Sequence, residues 1–97
     1  MEISEIQIIP IKPKDGIVAF ASFVINEEMY FSSVAIMTRP SGNYRLIYPT
    51  KKVLGRDISI YHPIKQDVGV VIQEAVITKY EDVMKEDTDD RYGSSSA

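Results

Sequence analysis

The chain contains no cysteine. Disulfide frameworks and thiolate zinc sites are therefore excluded. It has one histidine, His62, and its glycines stand apart at Gly16, Gly42, Gly55, Gly69 and Gly93, so no glycine-rich phosphate loop exists. No apolar run approaches the roughly 20 residues of a membrane-spanning helix. The longest, Ile17 to Ile25, is of strand length and is interrupted by Ser22. The N-terminus lacks a basic segment followed by an apolar one, so no signal peptide is expected. Together these absences set the expectation of a cytoplasmic protein with no membrane partner.

What is present describes one small domain. The chain has 97 residues, of which 44% are apolar and 26% charged, ordinary proportions for a globular protein with a single core. The net charge of −3 argues against a strongly basic surface overall. The acidity is local, however. Glu81, Asp82, Glu86, Asp87, Asp89 and Asp90 stand against Lys85 alone, which leaves about +2 on the rest of the chain by formal counting. A domain over residues 1–85 is expected, followed by a disordered acidic and Ser-rich tail over 86–97.

The first two-thirds of the chain reads as strands. Ile3 to Ile11 alternates around Ile6 and Ile8 and is followed by a turn, Pro13-Lys14-Asp15-Gly16. Ile17 to Ile25 and Met29 to Thr38 carry apolar residues on both alternating faces, as strands inside a sheet do, with Asn26-Glu27-Glu28 between them. Tyr44 to Tyr48 stops at Pro49, which lacks an N–H. Asp57 to Tyr61 is a last strand, broken by His62-Pro63.

From Asp67 the period changes to 3.6. Val68, Ile72, Ala75, Val76, Lys79, Tyr80 and Val83 fall near one helical face, with Asp67 as N-cap and an end near Met84 or Lys85. The expected fold is α+β, an antiparallel sheet of about five strands and one C-terminal helix. One helix covers part of one sheet face, so a second copy is expected on the apolar surface left over.

No spacing of Ser, Thr, Asp, Glu and His suggests catalysis, and no cofactor, metal or small-molecule substrate is expected. His62 precedes a proline, where the backbone is held extended, and its ring is read as bonding a nearby backbone group. The acids near the C-terminus lack the ordered ligands and central glycine of a calcium loop. Tyr30, Tyr44, Tyr48 and Tyr61 are read as half-buried sheet residues rather than stacking platforms. The best functional candidate is cationic: Lys51-Lys52 in a loop, with Arg56 close by and Arg45 on the preceding strand, placed to meet phosphate oxygens.

The order of landmarks resembles the SpoVG family (stage V sporulation protein G). Met1-Glu2-Ile3 and Asp15-Gly16 are similar to the family's start. Pro49-Thr50-Lys51-Lys52 resembles its Pro-Ser-Lys-Arg block, and Ile60-Tyr61-His62-Pro63-Ile64 its Ile-Ala-His-Pro-Ile. Ile72-Gln73-Glu74-Ala75-Val76 with Tyr80 resembles its Ile-Gln-Asp-Ala-Val and following Tyr. The resemblance implies a dimer built partly by strand pairing, binding of DNA and, as a second ligand, RNA, and a regulatory role in septation, sporulation or gene expression of a bacterium, without enzymatic activity. It carries nucleic-acid contact to Lys51, Lys52 and Arg56 alone. The chain departs from the pattern at the helix start. Val68-Gly69-Val70-Val71 stands where the family has an Arg-Gly-Lys-like run, and the loop before His62 is about a residue shorter. The alternative implied is a dimeric protein-interaction module of the same fold that has given up nucleic acid, with Val68, Val70 and Val71 serving a partner.

Overall fold

The structure, a computed structural model, describes residues 1–96 and the side-chain surroundings of residues 1–85. Six strands precede one helix: β1 (Ile3–Lys14), β2 (Ile17–Ile25), β3 (Met29–Thr38), β4 (Tyr44–Ile47), β5 (Thr50–Val53), β6 (Arg56–Ser59) and α1 (Gln66–Ser96). The α+β class is as expected, but the strands divide. β1-β2-β3-β4 form an antiparallel meander, and β5-β6 form a separate hairpin.

Tight turns explain the meander. Asp15 and Gly16 both have positive φ (53° and 85°), as do Asn26 and Glu27 (54° and 56°). Two consecutive left-handed residues make the hairpin turn whose twist matches that of the flanking strands. β1 therefore runs on to Lys14, past the end at Ile11 that its composition suggests. The N-terminus is pinned at the second turn, where the Asn26 side chain accepts from the Glu2 backbone N–H at 2.8 Å and the Asn26 N–H donates to the Glu2 carbonyl at 2.7 Å.

Strand alternation alone would separate Phe31 from Val34 and Ile36. The register of β2 against β3 skips a residue between Phe23↔Phe31 and Ala21↔Val34, and Ser33 takes φ 64° there. This bulge changes the parity, so Phe31, Val34 and Ile36 all contribute to the helix-side face. Glu5 (φ 48°) has the same effect in β1 and brings Ile3 into line with Ile6 and Ile8.

The core lies between that face and α1. Ala19, Ala21 and Phe23 from β2, Val34 and Ile36 from β3 and Leu46 from β4 are buried against Ile72, Val76 and Tyr80. Phe23, Ile36, Val34 and Val76 are the largest fully buried side chains. Each contributes roughly 1.5–3 kcal/mol of transfer free energy. Tyr80 stands edge-on to Tyr44 at 5.1 Å.

The helix begins one residue early, at Gln66. The Gly69 N–H donates to the Lys65 carbonyl at 3.1 Å, which makes Lys65 the capping position. Asp67 sits in the first turn instead, where its carboxylate accepts from the Val68 N–H at 3.0 Å and complements the positive helix end. No proline interrupts the stretch after Lys85, and α1 runs on to Ser96, past the end expected near Met84 or Lys85. The character expected of the acidic stretch 86–97 concerns side chains outside the described residues.

The opposite face of the sheet is bare. Ile9↔Phe20, Phe20↔Ala35 and Ala35↔Ile47 are directly paired and form one apolar row across all four strands. Ile9 is 63% exposed and Phe20 37%. The double-faced hydrophobicity of β2 and β3 thus reports one face packed by α1 and one left open.

Candidate nucleic-acid interface

β4 ends at Ile47, and Tyr48-Pro49 leads into β5. The Ile60 N–H donates to the Pro49 carbonyl at 3.0 Å, which closes the base of the β5–β6 hairpin. At the tip, Leu54 and Gly55 take φ 51° and 78°, again two left-handed residues in a row. Asn-Gly or Asp-Gly would be the ordinary choice for that turn, because a branched apolar residue is strained at positive φ. Every residue from Thr50 to Ile60 is exposed. The hairpin therefore stands off the body rather than packing onto it.

The lysine pair lies within β5, not in a loop, and this changes its geometry. Adjacent strand residues point to opposite faces. Lys51 pairs with Ile58 and Val53 with Arg56, so Lys51 and Arg56 share one face as diagonal neighbours. Such neighbours lie about 7–8 Å apart, close enough for two long cationic side chains to engage adjacent phosphates. Lys52 pairs with Asp57 on the other face. The expected trio is thus divided between the two faces of the hairpin, Lys51 and Arg56 on one and Lys52 on the other.

Arg45 is not part of this surface. It pairs with Met37 on the outer sheet face and lines a shallow hollow with Arg39, Pro40 and Ser41. The β3–β4 turn, closed by the Arg39 N–H to the Asn43 carbonyl at 2.7 Å, makes a second cationic pair from residues six apart. Arg39 carried no sequence signal beyond its charge; only the turn geometry reveals the pairing.

Tyr30 and Tyr44 lie in strands, whereas Tyr48 and Tyr61, expected in the sheet, lie in the connections after β4 and β6. Phe23, Phe31, Tyr61 and Tyr48 form a chain of ring contacts, with centroids 5.7, 5.1 and 5.9 Å apart in turn. The Tyr61 hydroxyl donates to the Ser32 carbonyl. Burial pushes the Tyr61 phenol up, the Ser32 bond partly opposes this, and Tyr30 adds to it. The Tyr48 hydroxyl is buried with no partner among the described residues. Burial first, then the neighbouring Tyr61, pushes it up to about 12. Tyr30 alone is widely exposed. His62 is exposed and shares a hydrogen bond of 2.6 Å between Nδ1 and the Ser59 hydroxyl, a side chain rather than the backbone group anticipated.

At the helix start, Val68 packs against the core, whereas Val70 and Val71 are about half exposed. Ile64, just before it, is 91% exposed. Val68 is part-buried and lines an apolar cavity beside Tyr48 and Tyr61.

A four-stranded meander with one helix on its inner face and a basic hairpin standing clear places the chain among small α+β proteins organised around a projecting arm. The SpoVG family profile matches residues 1–82, and the chain belongs to that family. It is 23% identical over 91 residues to a protein of Phytoplasma australiense named "Putative septation protein SpoVG", an alignment covering 94% of this chain and 95% of that protein.

Proposed function

We propose that this chain is a dimeric bacterial regulatory protein that binds DNA, and RNA as a second ligand, through the β5–β6 hairpin. It would act in septation, sporulation or gene expression rather than catalyse a reaction, and it would do so in the cytoplasm. The observation that carries this reading is the common exposed face of Lys51 and Arg56 on an arm that stands clear of an otherwise acidic protein. Membership of the SpoVG family and the septation protein among its relatives support the regulatory part.

Phosphate contacts by flexible cations position a protein on nucleic acid without reading its sequence. A dimer doubles the pair to four effective charges. The expected slope of log affinity against log salt is then about −3 to −4 on duplex DNA. Lys51→Ala with Arg56→Ala should lower affinity for every sequence and flatten that slope, whereas Lys52→Ala should do little. A slope near zero would remove the phosphate reading.

A second reading is favoured by one observation, the uncharged helix start with Val70, Val71 and Ile64 exposed. On that reading the same dimer is a protein-interaction module. Absence of binding to duplex or single strand at low salt would select it.

A further inference from the structure

The sheet face turned away from α1 is apolar in the middle and sorted by charge along its strands. Ile9, Phe20, Ala35 and Ile47 cross it as one row. The next row, Lys14↔Ile17↔Met37↔Arg45, has an apolar centre and a cation on each outer strand. On the other side of Phe20 the same face carries Gln7↔Ser22 and then Ser4↔Val24↔Tyr30, with Tyr30 67% exposed. Glu2 stands just before β1 and Lys14 at its end, and Glu28 and Arg39 flank β3 directly. All four are exposed. Antiparallel pairing puts the starts of β1 and β3 at one end of the sheet, so Glu2 and Glu28 mark an acidic end and Lys14 and Arg39 a basic one.

We propose that this face is an interface between copies of the chain, in which two sheets pack outer face to outer face about a two-fold axis that crosses the strands. The contact goes beyond the dimer of the proposed function, because the β5–β6 hairpin takes no part in it.

Charge selects the arrangement. Packed sheets keep their strands within about 30° of each other. A two-fold axis between two such faces then runs either along the strands or across them. Along the strands, it would set acidic end on acidic end. Across them, it sets each basic end on the partner's acidic end. The register fixes where the axis passes. Ile8, Ala21 and Val34 are paired in one row and mark the middle of β1, β2 and β3. An axis at that row lays Lys14 over the partner's Glu2 and Arg39 over the partner's Glu28, each pair occurring twice. It also lays Phe20 over the partner's Ser22, a bulky ring over a small side chain, since the two flank Ala21.

The area sets the strength. Four strands about 4.8 Å apart and about seven residues long present roughly 450 Å² a side. The total of roughly 900 Å² falls short of the ~1,200–2,000 Å² of a stable complex. The contact is therefore weak and concentration-dependent, and it joins existing dimers rather than replacing their interface.

The test is sedimentation equilibrium of the full chain from about 10 μM to 1 mM at about 50 mM salt, where charge pairs are little screened. The molar mass should double over this range above that of the dilute species. The mass of the dilute species, 11.0 kDa or twice that, reports the dimer of the proposed function separately. Arg39→Glu and Glu28→Lys, both at exposed positions, should each weaken the doubling at least about tenfold, because either one brings like charges together twice. An equimolar mixture of the two variants should associate as the wild type does, since each supplies the charge the other needs. A wild type that never doubles, a doubling that neither variant weakens, or a mixture that associates no better than either variant alone would overturn the contact.

Discussion

The Tyr48 hydroxyl, buried without a partner among the described residues, makes a sharp prediction. Tyr48→Phe keeps the ring contact with Tyr61 at 5.9 Å and deletes only the buried oxygen. Burying a hydroxyl without a hydrogen bond costs about 1–3 kcal/mol, so its removal should stabilise the domain by about 1 kcal/mol at neutral pH. For a chain of this size that is a rise in Tm of about 4–8 °C. The gap should widen in alkali. Burial raises the phenol from 10.0 to about 12, so the folded state holds this proton more tightly than the unfolded chain. The associated stability is complete below pH 10 and is lost as pH rises towards 12. A shift of two units corresponds to about 2.7 kcal/mol by linkage, and because the residue as a whole is half-buried about 1–1.5 kcal/mol is the expected loss. Tyr48→Phe should remove that part of the alkaline decline, while Tyr61 and Tyr80, both also pushed up by burial, keep a remainder. Urea unfolding followed by circular dichroism between pH 7 and 11.5 measures both effects. A Tyr48→Phe variant less stable by about 1 kcal/mol or more at pH 7 would mean the hydroxyl is satisfied, and an unchanged alkaline decline would mean the phenol is not desolvated; either result would refute the reasoning.

Three further predictions concern the scaffold. Phe23→Ala, at a side chain 1% exposed against α1, should cost about 3–5 kcal/mol in chemical denaturation, a large part of a small domain's stability. Gly69→Ala should stabilise by about 0.5–1 kcal/mol through helix propensity. The added Cβ would meet Pro63, its Cγ at an ordinary 3.5 Å and its Cβ at 4.0 Å, and thermal melts should show a modest rise. Asn26→Ala should lose about 1–2 kcal/mol, since it removes the bond to the Glu2 N–H and places alanine at φ 54°, and amide exchange at the start of β1 should accelerate.

The helix, the inner core and the two central strands were legible because their signals are periodic. Ile72, Val76 and Tyr80 recur every four residues, and Pro49 and His62-Pro63 punctuate the chain where elements end. The bulges were not legible. Nothing in Glu5 or Ser33 announces a left-handed residue inside a strand, yet each reassigns the faces that follow it. The candidate site was half visible. Charge identified Lys51, Lys52 and Arg56, but whether adjacent lysines act together depends on whether they lie in a loop or a strand. That was decided by a Leu-Gly turn that composition does not predict. The cavity beside Tyr48 is made by β2, β3, the hairpin base and α1 together, so no single segment carries its signature.

The most direct test of the account is the salt dependence of DNA binding by the wild-type chain beside Lys51→Ala/Arg56→Ala and Lys52→Ala, measured by fluorescence anisotropy on one duplex from about 20 to 200 mM salt. The account predicts a wild-type log–log slope of about −3 to −4, a slope near zero for the double variant, and a slope close to wild type for Lys52→Ala. Equal losses from Lys52→Ala and Lys51→Ala/Arg56→Ala, or a wild-type chain that binds no duplex at the lowest salt, would contradict it.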